Sequence, residues 1–236
     1  MEILRAKTLN LRQTGALSPK RAANSTLNQK EALMQKTVLD SAPQRLVLEL
    51  TNQCNLNCIM CGRNAADFKP TQFQLEWLDY FEPIRDQVEE VTLMGWGEPT
   101  VHPDFVKFLK WAYDCGMRKY FCTNGMRLEQ LTSALFAYHT DIFAVSLDGA
   151  DAPTNERIRR GVDFHRVIRS LEAINRKKAM EKLEYPYNNF VFTAMKQNIE
   201  QLPALVRLAG DIGMNEVKAV FLTAFDEWGR EQTLFY

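Results

Sequence analysis

Short apolar runs, partly of β-branched residues, alternate with longer stretches of helical period from Arg45 onward, and this alternation is the strongest constraint on the fold. Such runs are typical of strands, and apolar residues three or four apart are typical of helices. Strands that alternate with helices form a parallel sheet with right-handed crossovers, either open or curled into a barrel. The six predicted strands are Leu46–Thr51, Glu90–Met94, Arg118–Thr123, Ile142–Leu147, Asn189–Met195 and Glu216–Leu222.

The helices predicted between these strands complete an α/β chain of one domain. Gly116 and Gly213 follow two of them, as is usual at the end of a helix, and His102-Pro103 opens another. Residues 1–44 are polar and poorly periodic, so we expect an N-terminal extension with one helix over about residues 28–40. The five predicted crossover helices are residues 72–86, 103–115, 128–138, 163–179 and 201–212.

Residues suited to chemistry follow four successive predicted strands. In parallel α/β sheets, ligands bind at the carboxyl ends of the strands, where the loops into the helices lie. We therefore expect these residues to meet in one site at that edge. They are the cysteine loop that begins at Cys54, then Gly95-Trp96-Gly97-Glu98-Pro99, Thr123-Asn124-Gly125 and Ser146-Leu147-Asp148-Gly149.

Three of the five cysteines, Cys54, Cys58 and Cys61, lie in a C-x3-C-x2-C pattern on the first of these loops. Thiolates are soft ligands that suit iron–sulfur clusters and zinc, and three of them can bind one face of a cubane. Three ligands for four irons leave one iron open, which is typical of a reactive metal centre. The alternative is a structural zinc site whose fourth ligand lies elsewhere in the chain.

The remaining thiols and the histidines are weaker candidates. Cys115 and Cys122 are interpreted as buried free thiols, the commoner state of a single cysteine. We assign none of the histidines as a ligand, because they lack the paired spacing of a metal site and are expected at helix ends or on the surface. They are His102, His139 and His165.

The C-x3-C-x2-C loop after a first strand resembles the defining motif of the radical S-adenosylmethionine superfamily, and the later motifs follow in the same order. The resemblance covers about residues 45–223 and implies a partial (β/α)6 TIM-like barrel of parallel strands. It implies that the three cysteines hold a [4Fe-4S] cluster whose open iron is chelated by S-adenosylmethionine. Reductive cleavage then gives a 5′-deoxyadenosyl radical that abstracts a hydrogen atom from the substrate. Met60 occupies a position that is usually aromatic in the family, near the adenine.

The resemblance also implies the residues that contact the cofactor. Gly95, Gly97 and Glu98 match the motif that receives the methionine amino group, since glycine permits close approach of backbone carbonyls. Ser146 matches a position at the ribose or carboxylate, and Arg159 matches an arginine that pairs with the methionine carboxylate. The other implied contacts are Thr123, Asn124, Asp148, Asn198 and Leu222. Ser146 and Asp148 alternate across one residue, so in extended chain both point to the same side of the sheet.

Several motifs resemble most closely the members of this family that carry a SPASM or twitch extension, which binds auxiliary clusters through further cysteines. The sequence has no cysteine after Cys122. We expect residues 224–236 to be the start of a truncated C-terminal extension, and the alternative is a minimal enzyme. The aromatic residues Trp228, Phe235 and Tyr236 favour truncation, because large apolar side chains near a terminus usually dock on something.

Composition narrows the class of substrate. The 29 Lys and Arg residues equal the 29 Asp and Glu residues, so no net field attracts nucleic acid or an anionic membrane. Uninterrupted apolar runs fall short of the roughly 18–20 residues that span a bilayer, so we expect a cytoplasmic protein. The resemblance implies that it is an oxidoreductase. The predicted substrate is a peptide or small metabolite, modified by maturation, dehydrogenation or epimerisation, with flavodoxin or ferredoxin as electron donor. The alternatives are an RNA- or sugar-modifying enzyme and a non-catalytic zinc- or cluster-binding module.

Overall fold

The computed structural model describes residues 17–65 and 69–235 and contains one sheet of six parallel strands. Each strand pairs with its neighbour in the sequence, so the order is sequential from the first strand to the last. The first and last strands are therefore the two edges of an open sheet, which confirms the predicted partial barrel. The strands are β1 (Arg45–Leu48), β2 (Glu90–Leu93), β3 (Arg118–Thr123), β4 (Ile142–Ser146), β5 (Tyr187–Ala194) and β6 (Glu216–Phe221).

Helices connect the strands as predicted, with two differences. The predicted helix over residues 72–86 is a series of 3-10 turns, because Pro83 lies inside it and cannot donate the hydrogen bond of a regular α-helix. A short helix, α4, was not predicted; Asp151 caps it by accepting a hydrogen bond from the Thr154 amide at 2.8 Å. The α-helices are α1 (Pro19–Leu33), α2 (Phe105–Asp114), α3 (Leu128–Ala137), α4 (Ala152–Ile158), α5 (Phe164–Glu181), α6 (Leu202–Asp211) and α7 (Glu227–Gln232), and the 3-10 segments are Gly62–Ala65, Leu75–Ile84, Pro99–Val101 and Ile199–Gln201.

The helix predicted over residues 28–40 is wrong, since α1 spans Pro19–Leu33. A Ser-Pro pair can mark either a break in the chain or the start of a helix, and Ser18-Pro19 starts this one. Ser18 is the N-cap, whose side chain accepts a hydrogen bond from the Arg21 amide, and a proline suits the first helical position. Residues 1–16 of the predicted extension lie outside the described residues.

Helix α1 packs at the amino ends of the strands, which we call the amino edge of the sheet; the opposite ends form the carboxyl edge. Arg21 donates hydrogen bonds to the Val88 carbonyl at 2.7 Å and to the Cys115 carbonyl at 2.5 Å. These carbonyls lie just before β2 and at the end of α2, on the side of the sheet opposite the predicted site. The buried Asn24 adds a hydrogen bond to the Ala42 carbonyl at 3.0 Å. Helix α1 therefore does not cover the carboxyl edge, where the cysteine loop and the motifs after β2, β3 and β4 lie.

Two apolar clusters pack on the opposite faces of the sheet. The larger lies between the strands and the helices and includes the fully buried Phe121 and Phe143, whose rings stack with centroids 5.6 Å apart. The smaller lies on the inner face around Tyr120 and Ala144. Alternate residues of one strand supply the two faces, as the pleat requires. None of the described helices is long and apolar enough to cross a membrane.

The C-terminal aromatic residues differ in their exposure. Trp228 is half-buried and Phe235 is exposed, while Tyr236 lies outside the described residues.

Candidate active site

The cysteine loop follows β1, and two of its backbone amides are hydrogen-bonded to the chain at the end of α4. The Asn57 amide donates to the Arg160 carbonyl at 2.9 Å, and the Ile59 amide donates to the Ile158 carbonyl at 3.0 Å. Because these bonds involve backbone atoms on both sides, they fix the path of the loop whatever its side chains bind. The loop then turns at Cys61, whose amide donates to the Cys58 carbonyl at 3.1 Å.

The three loop thiols are partly exposed and free of disulfides. Burial raises the pKa of Cys54, and it raises the pKa of Cys58 to about 11, against the opposing effect of the nearby Arg159 cation. Metal ligation by these thiols therefore releases protons. Across residues 17–65 and 69–235, no three His, Cys, Asp or Glu side chains converge on a point suited to a single metal ion. A cubane binds each thiolate through a different iron and requires no such common point.

The Gly95–Glu98 loop packs directly on the chain that leads into the cysteine loop. A Cβ on Gly97 would overlap the carbonyl oxygens of Thr51 and Gln53, and the Glu98 amide donates to the Gln53 carbonyl at 2.8 Å. A Cβ on Gly95 would overlap the carboxylate of Glu49. A side chain at Gly97 would meet fixed backbone atoms, whereas one at Gly95 would meet only the flexible side chain of Glu49. Gly97 is thus required by close approach within the protein, while the resemblance assigned both glycines to the cofactor.

The Glu98 carboxylate is buried and bonded within the protein. One oxygen accepts from the hydroxyls of Thr100 at 2.6 Å and Thr123 at 2.7 Å, and the other accepts from the Asn124 amide at 2.7 Å. Burial raises the pKa of Glu98, and these hydrogen bonds oppose that rise. The carboxylate therefore joins the loops after β2 and β3, which limits its capacity to accept an ammonium group.

Asn124 links the third strand to the cysteine loop. Its amide nitrogen donates to Asn55 Oδ1 at 2.8 Å and lies 4.0 Å from Cys54 Sγ. Glu98 holds the Asn124 backbone, so the loops after β1, β2 and β3 form one hydrogen-bonded group. Met60 lies partly exposed in the turn between Cys58 and Cys61.

A buried ion pair occupies the carboxyl ends of β4 and β5. Arg159 Nη2 lies 2.7 Å from Asp148 Oδ2, and Asp148 Oδ1 accepts from the Thr193 amide at 2.7 Å. Burial raises the pKa of Asp148, while the Arg159 cation opposes that rise. Ser146, the last residue of β4 and two residues before Asp148, has its Oγ 3.4 Å from Cys122 Sγ. The sequence assigned Asp148 to the cofactor, whereas its carboxylate pairs with Arg159 and accepts from the Thr193 amide.

Arg159 keeps one buried donor that this ion pair does not use. It is 92% buried, since only 8% of its surface is exposed, yet its Nε has no hydrogen-bond partner among the described residues. Its two neighbours in the chain, Ile158 and Arg160, accept hydrogen bonds from the amides of Ile59 and Asn57, which flank Cys58, so the Arg159 segment lies beside that part of the cysteine loop. A buried, unsatisfied donor beside a soft-ligand loop fits an anionic group bound next to a metal cluster.

Asn198 and Leu222 lie further along the same edge. Asn198 is buried and donates to the carbonyls of Asp148 and Thr193, each at 3.0 Å, so it braces the chain around the ion pair. Leu222 follows β6 and lines a cavity of about 720 Å³.

Some residues differ from their predicted surroundings or were missed. Cys115 and Cys122 are partly exposed, where burial was expected. His102 is buried at the start of α2, and its Nε2 lies 3.1 Å from the Phe73 carbonyl oxygen. Asn155 was missed: its Oδ1 accepts from the Asp148 amide at 2.8 Å. Its position four residues before Arg159, in the same segment, was the available signal.

A family model described as "Radical SAM superfamily" matches residues 48–209. The AdoMet-dependent heme synthase of Methanosarcina barkeri is 26% identical over 189 residues, covering 78% of this chain and 52% of that protein. The mycofactocin maturase MftC of Mycolicibacterium smegmatis is 29% identical over 178 residues, covering 73% of this chain and 43% of that protein. The chain thus spans about half the length of the curated relatives it matches.

Solved structures share the fold. Streptococcus suis SuiB bound to the precursor peptide SuiA superposes with a TM-score of 0.67 at 20% identity, covering 93% of this chain and 49% of that one. The protein anSMEcpe with bound AdoMet superposes with a TM-score of 0.62 at 16% identity, covering 77% of this chain and 53% of that one. The motif match, the open parallel sheet and the cysteine loop at its carboxyl edge agree, and the chain therefore belongs to the radical SAM superfamily of enzymes.

Proposed function

We propose that Cys54, Cys58 and Cys61 hold a [4Fe-4S] cluster and that S-adenosylmethionine binds at its open iron. The observation that carries this proposal is the buried Arg159, which has an unpartnered donor and whose segment is hydrogen-bonded to the cysteine loop on both sides of Cys58. When bound and reduced, the cluster and cofactor supply a 5′-deoxyadenosyl radical that takes a hydrogen atom from the substrate. Residues 45–223 form the core that performs this chemistry.

The residues of the chain position the cofactor and keep its site rigid. Arg159 remains charged at any accessible pH and offers its free Nε to the methionine carboxylate, while Asp148 holds the other side of the guanidinium. Ser146 offers a hydroxyl from the end of β4, two residues before Asp148. Glu98 and Asn124 hold the loops after β2 and β3 against the cysteine loop, which fixes the spacing of the thiols.

A peptide or small metabolite is the proposed substrate. MftC is named as a maturase and SuiB is seen with a precursor peptide, which supports peptide maturation. Relatives named as a heme synthase and a GTP 3′,8-cyclase support a small metabolite. We further propose a cytoplasmic oxidoreductase with a flavodoxin or ferredoxin as electron donor, because free thiols and a reducible cluster suit a reducing compartment.

Anaerobic reconstitution with iron and sulfide tests the proposal. The wild-type protein should bind about four irons and, with dithionite and S-adenosylmethionine, release 5′-deoxyadenosine. Cys58→Ala should lose both properties, since two thiolates do not retain the cubane. Cys115→Ala is the matched control, because this thiol lies at the end of α2 on the opposite edge of the sheet. Wild-type protein that retains zinc and releases no 5′-deoxyadenosine would contradict the proposal.

A further inference from the structure

Two aromatic rings pack directly on the turn that follows the third cysteine. The rings of Trp96 and Phe225 meet edge to face with centroids 5.4 Å apart. A Cβ on Gly62 would lie 2.6 Å from Trp96 and 2.9 Å from Phe225, so the absence of a side chain at this position permits the contact. Gly62 is buried, although Trp96 is 45% exposed and Phe225 is 46% exposed. The rings therefore cover the Cys61-Gly62 turn from the solvent side.

The two rings reach this turn from different strands, since Trp96 follows β2 and Phe225 follows β6. Gly62 belongs to the segment after β1, while Phe225 follows β6, the opposite edge strand. Phe225 lies just before α7, whose far end is tied to the chain after β5 by a hydrogen bond from the Lys196 amide to the Gln232 carbonyl at 2.9 Å. The Trp96 backbone is held by a hydrogen bond to Glu49 at 2.5 Å. The contact of Phe225 with Gly62 thus joins the chain after one edge strand, β1, to the chain after the other, β6.

We propose that Trp96 and Phe225 form an aromatic cover that shields the Cys61 ligand from water and oxidants, and this inference rests on the proposed cluster. Cys54 and Cys58 already pack against the main apolar core. The turn at the third ligand is instead closed by these two rings. Excluding water there slows the exchange and oxidation of the ligand, since thiolate oxidation depends on access.

Thiol alkylation of the cluster-free protein tests the cover without requiring any iron. We expect Phe225→Ala to raise the rate of Cys61 modification about tenfold, measured by mass spectrometry as a ratio to Cys115 in the same molecules. The ratio removes the effect of global loosening, because Cys115 lies on the opposite edge of the sheet. Phe225→Leu keeps an apolar side chain and should give an intermediate ratio. Phe235→Ala is the control: this exposed ring packs on Phe221 with centroids 4.3 Å apart, and its removal should leave the ratio unchanged.

The reconstituted enzyme gives a second measurement. The visible iron–sulfur absorbance should decay faster in air for Phe225→Ala than for Phe235→Ala or the wild type. An unchanged Cys61 to Cys115 ratio in both Phe225 variants, or equal decay of the cluster in Phe225→Ala and Phe235→Ala, would overturn the cover. If the wild-type protein assembles no cluster, the proposed function fails while the alkylation result still reports on the rings, so the two failures are distinguishable.

Discussion

Replacing Asp148 by asparagine should strongly destabilise the fold. The introduced amide would keep an acceptor for the Thr193 amide, which Asp148 Oδ1 now accepts at 2.7 Å, so the substitution removes the charge with little change of shape. Arg159 would be left with its charge buried and without its partner at 2.7 Å. Asp148 is fully buried and Arg159 is 8% exposed, so neither charge is screened by solvent.

The magnitude follows from the burial of this pair. Removing one partner of a buried ion pair typically costs about 3–5 kcal/mol, because the remaining charge is not compensated. Replacing both partners by neutral groups is often close to neutral for the same reason. We therefore expect Asp148→Asn to lower the free energy of unfolding by about 3–5 kcal/mol, and Asp148→Asn combined with Arg159→Met to recover a large part of it.

Urea unfolding of the cluster-free protein, followed by circular dichroism, measures these changes. The four proteins of the cycle are the wild type, the two single variants and the double variant, and their slopes against urea should agree if unfolding remains two-state. A loss of less than about 1 kcal/mol for Asp148→Asn would indicate a solvent-screened pair and would refute the reasoning. Additive losses in the double variant would do the same, because coupled charges must show an interaction energy.

Two further predictions concern a close contact and an acid-sensitive turn. Gly97→Ala should cost about 1–3 kcal/mol in urea unfolding, because its Cβ would overlap the Thr51 carbonyl oxygen, while Gly210→Ala, with open space around its Cβ, should cost nothing. Equal effects of the two glycine variants on the free energy of unfolding would show that the contact with the Thr51 carbonyl does not determine the stability. Hydrogen bonds, led by that from the Asp40 amide, lower the pKa of Glu31 from 4.5 to about 2. This carboxylate stabilises the fold above its unfolded pKa and loses that effect as pH falls from about 4.5 towards 2, so the difference in melting temperature between wild type and Glu31→Gln should shrink over that range and a constant difference would contradict the assignment.

The strands were predictable because their signal is local. Arg118–Thr123 was predicted to the residue, and the other strands differ by a few residues at their ends. An apolar run between polar segments determines a buried parallel strand without knowledge of its partners. Helix α1 was misplaced because Ser18-Pro19 has two local meanings, a break and a helix start. Only the packing of Arg21 and Asn24 against the amino edge of the sheet decides between them.

The site was predictable as a location and less so as a set of roles. Parallel topology alone brings the loops after β1 to β4 to one edge, so the cysteine loop and the motifs near it could be placed together. The partners of Glu98 and Asn198 could not be predicted, because they come from residues up to 50 positions away. Both side chains are committed to the protein itself. The aromatic cover also depends on contacts between distant segments, so no local sequence motif predicts it.

The attachment of the cysteine loop to the carbonyls of Ile158 and Arg160 has a consequence for where the chain tolerates extra length. An insertion near the end of α4 would displace two backbone acceptors of a loop about a hundred positions earlier in the sequence. Insertions in the connection of residues 182–186, at the amino edge of the sheet, would leave those acceptors in place. Among homologous chains, length variation should therefore concentrate in the connection of residues 182–186 and be rare near the end of α4.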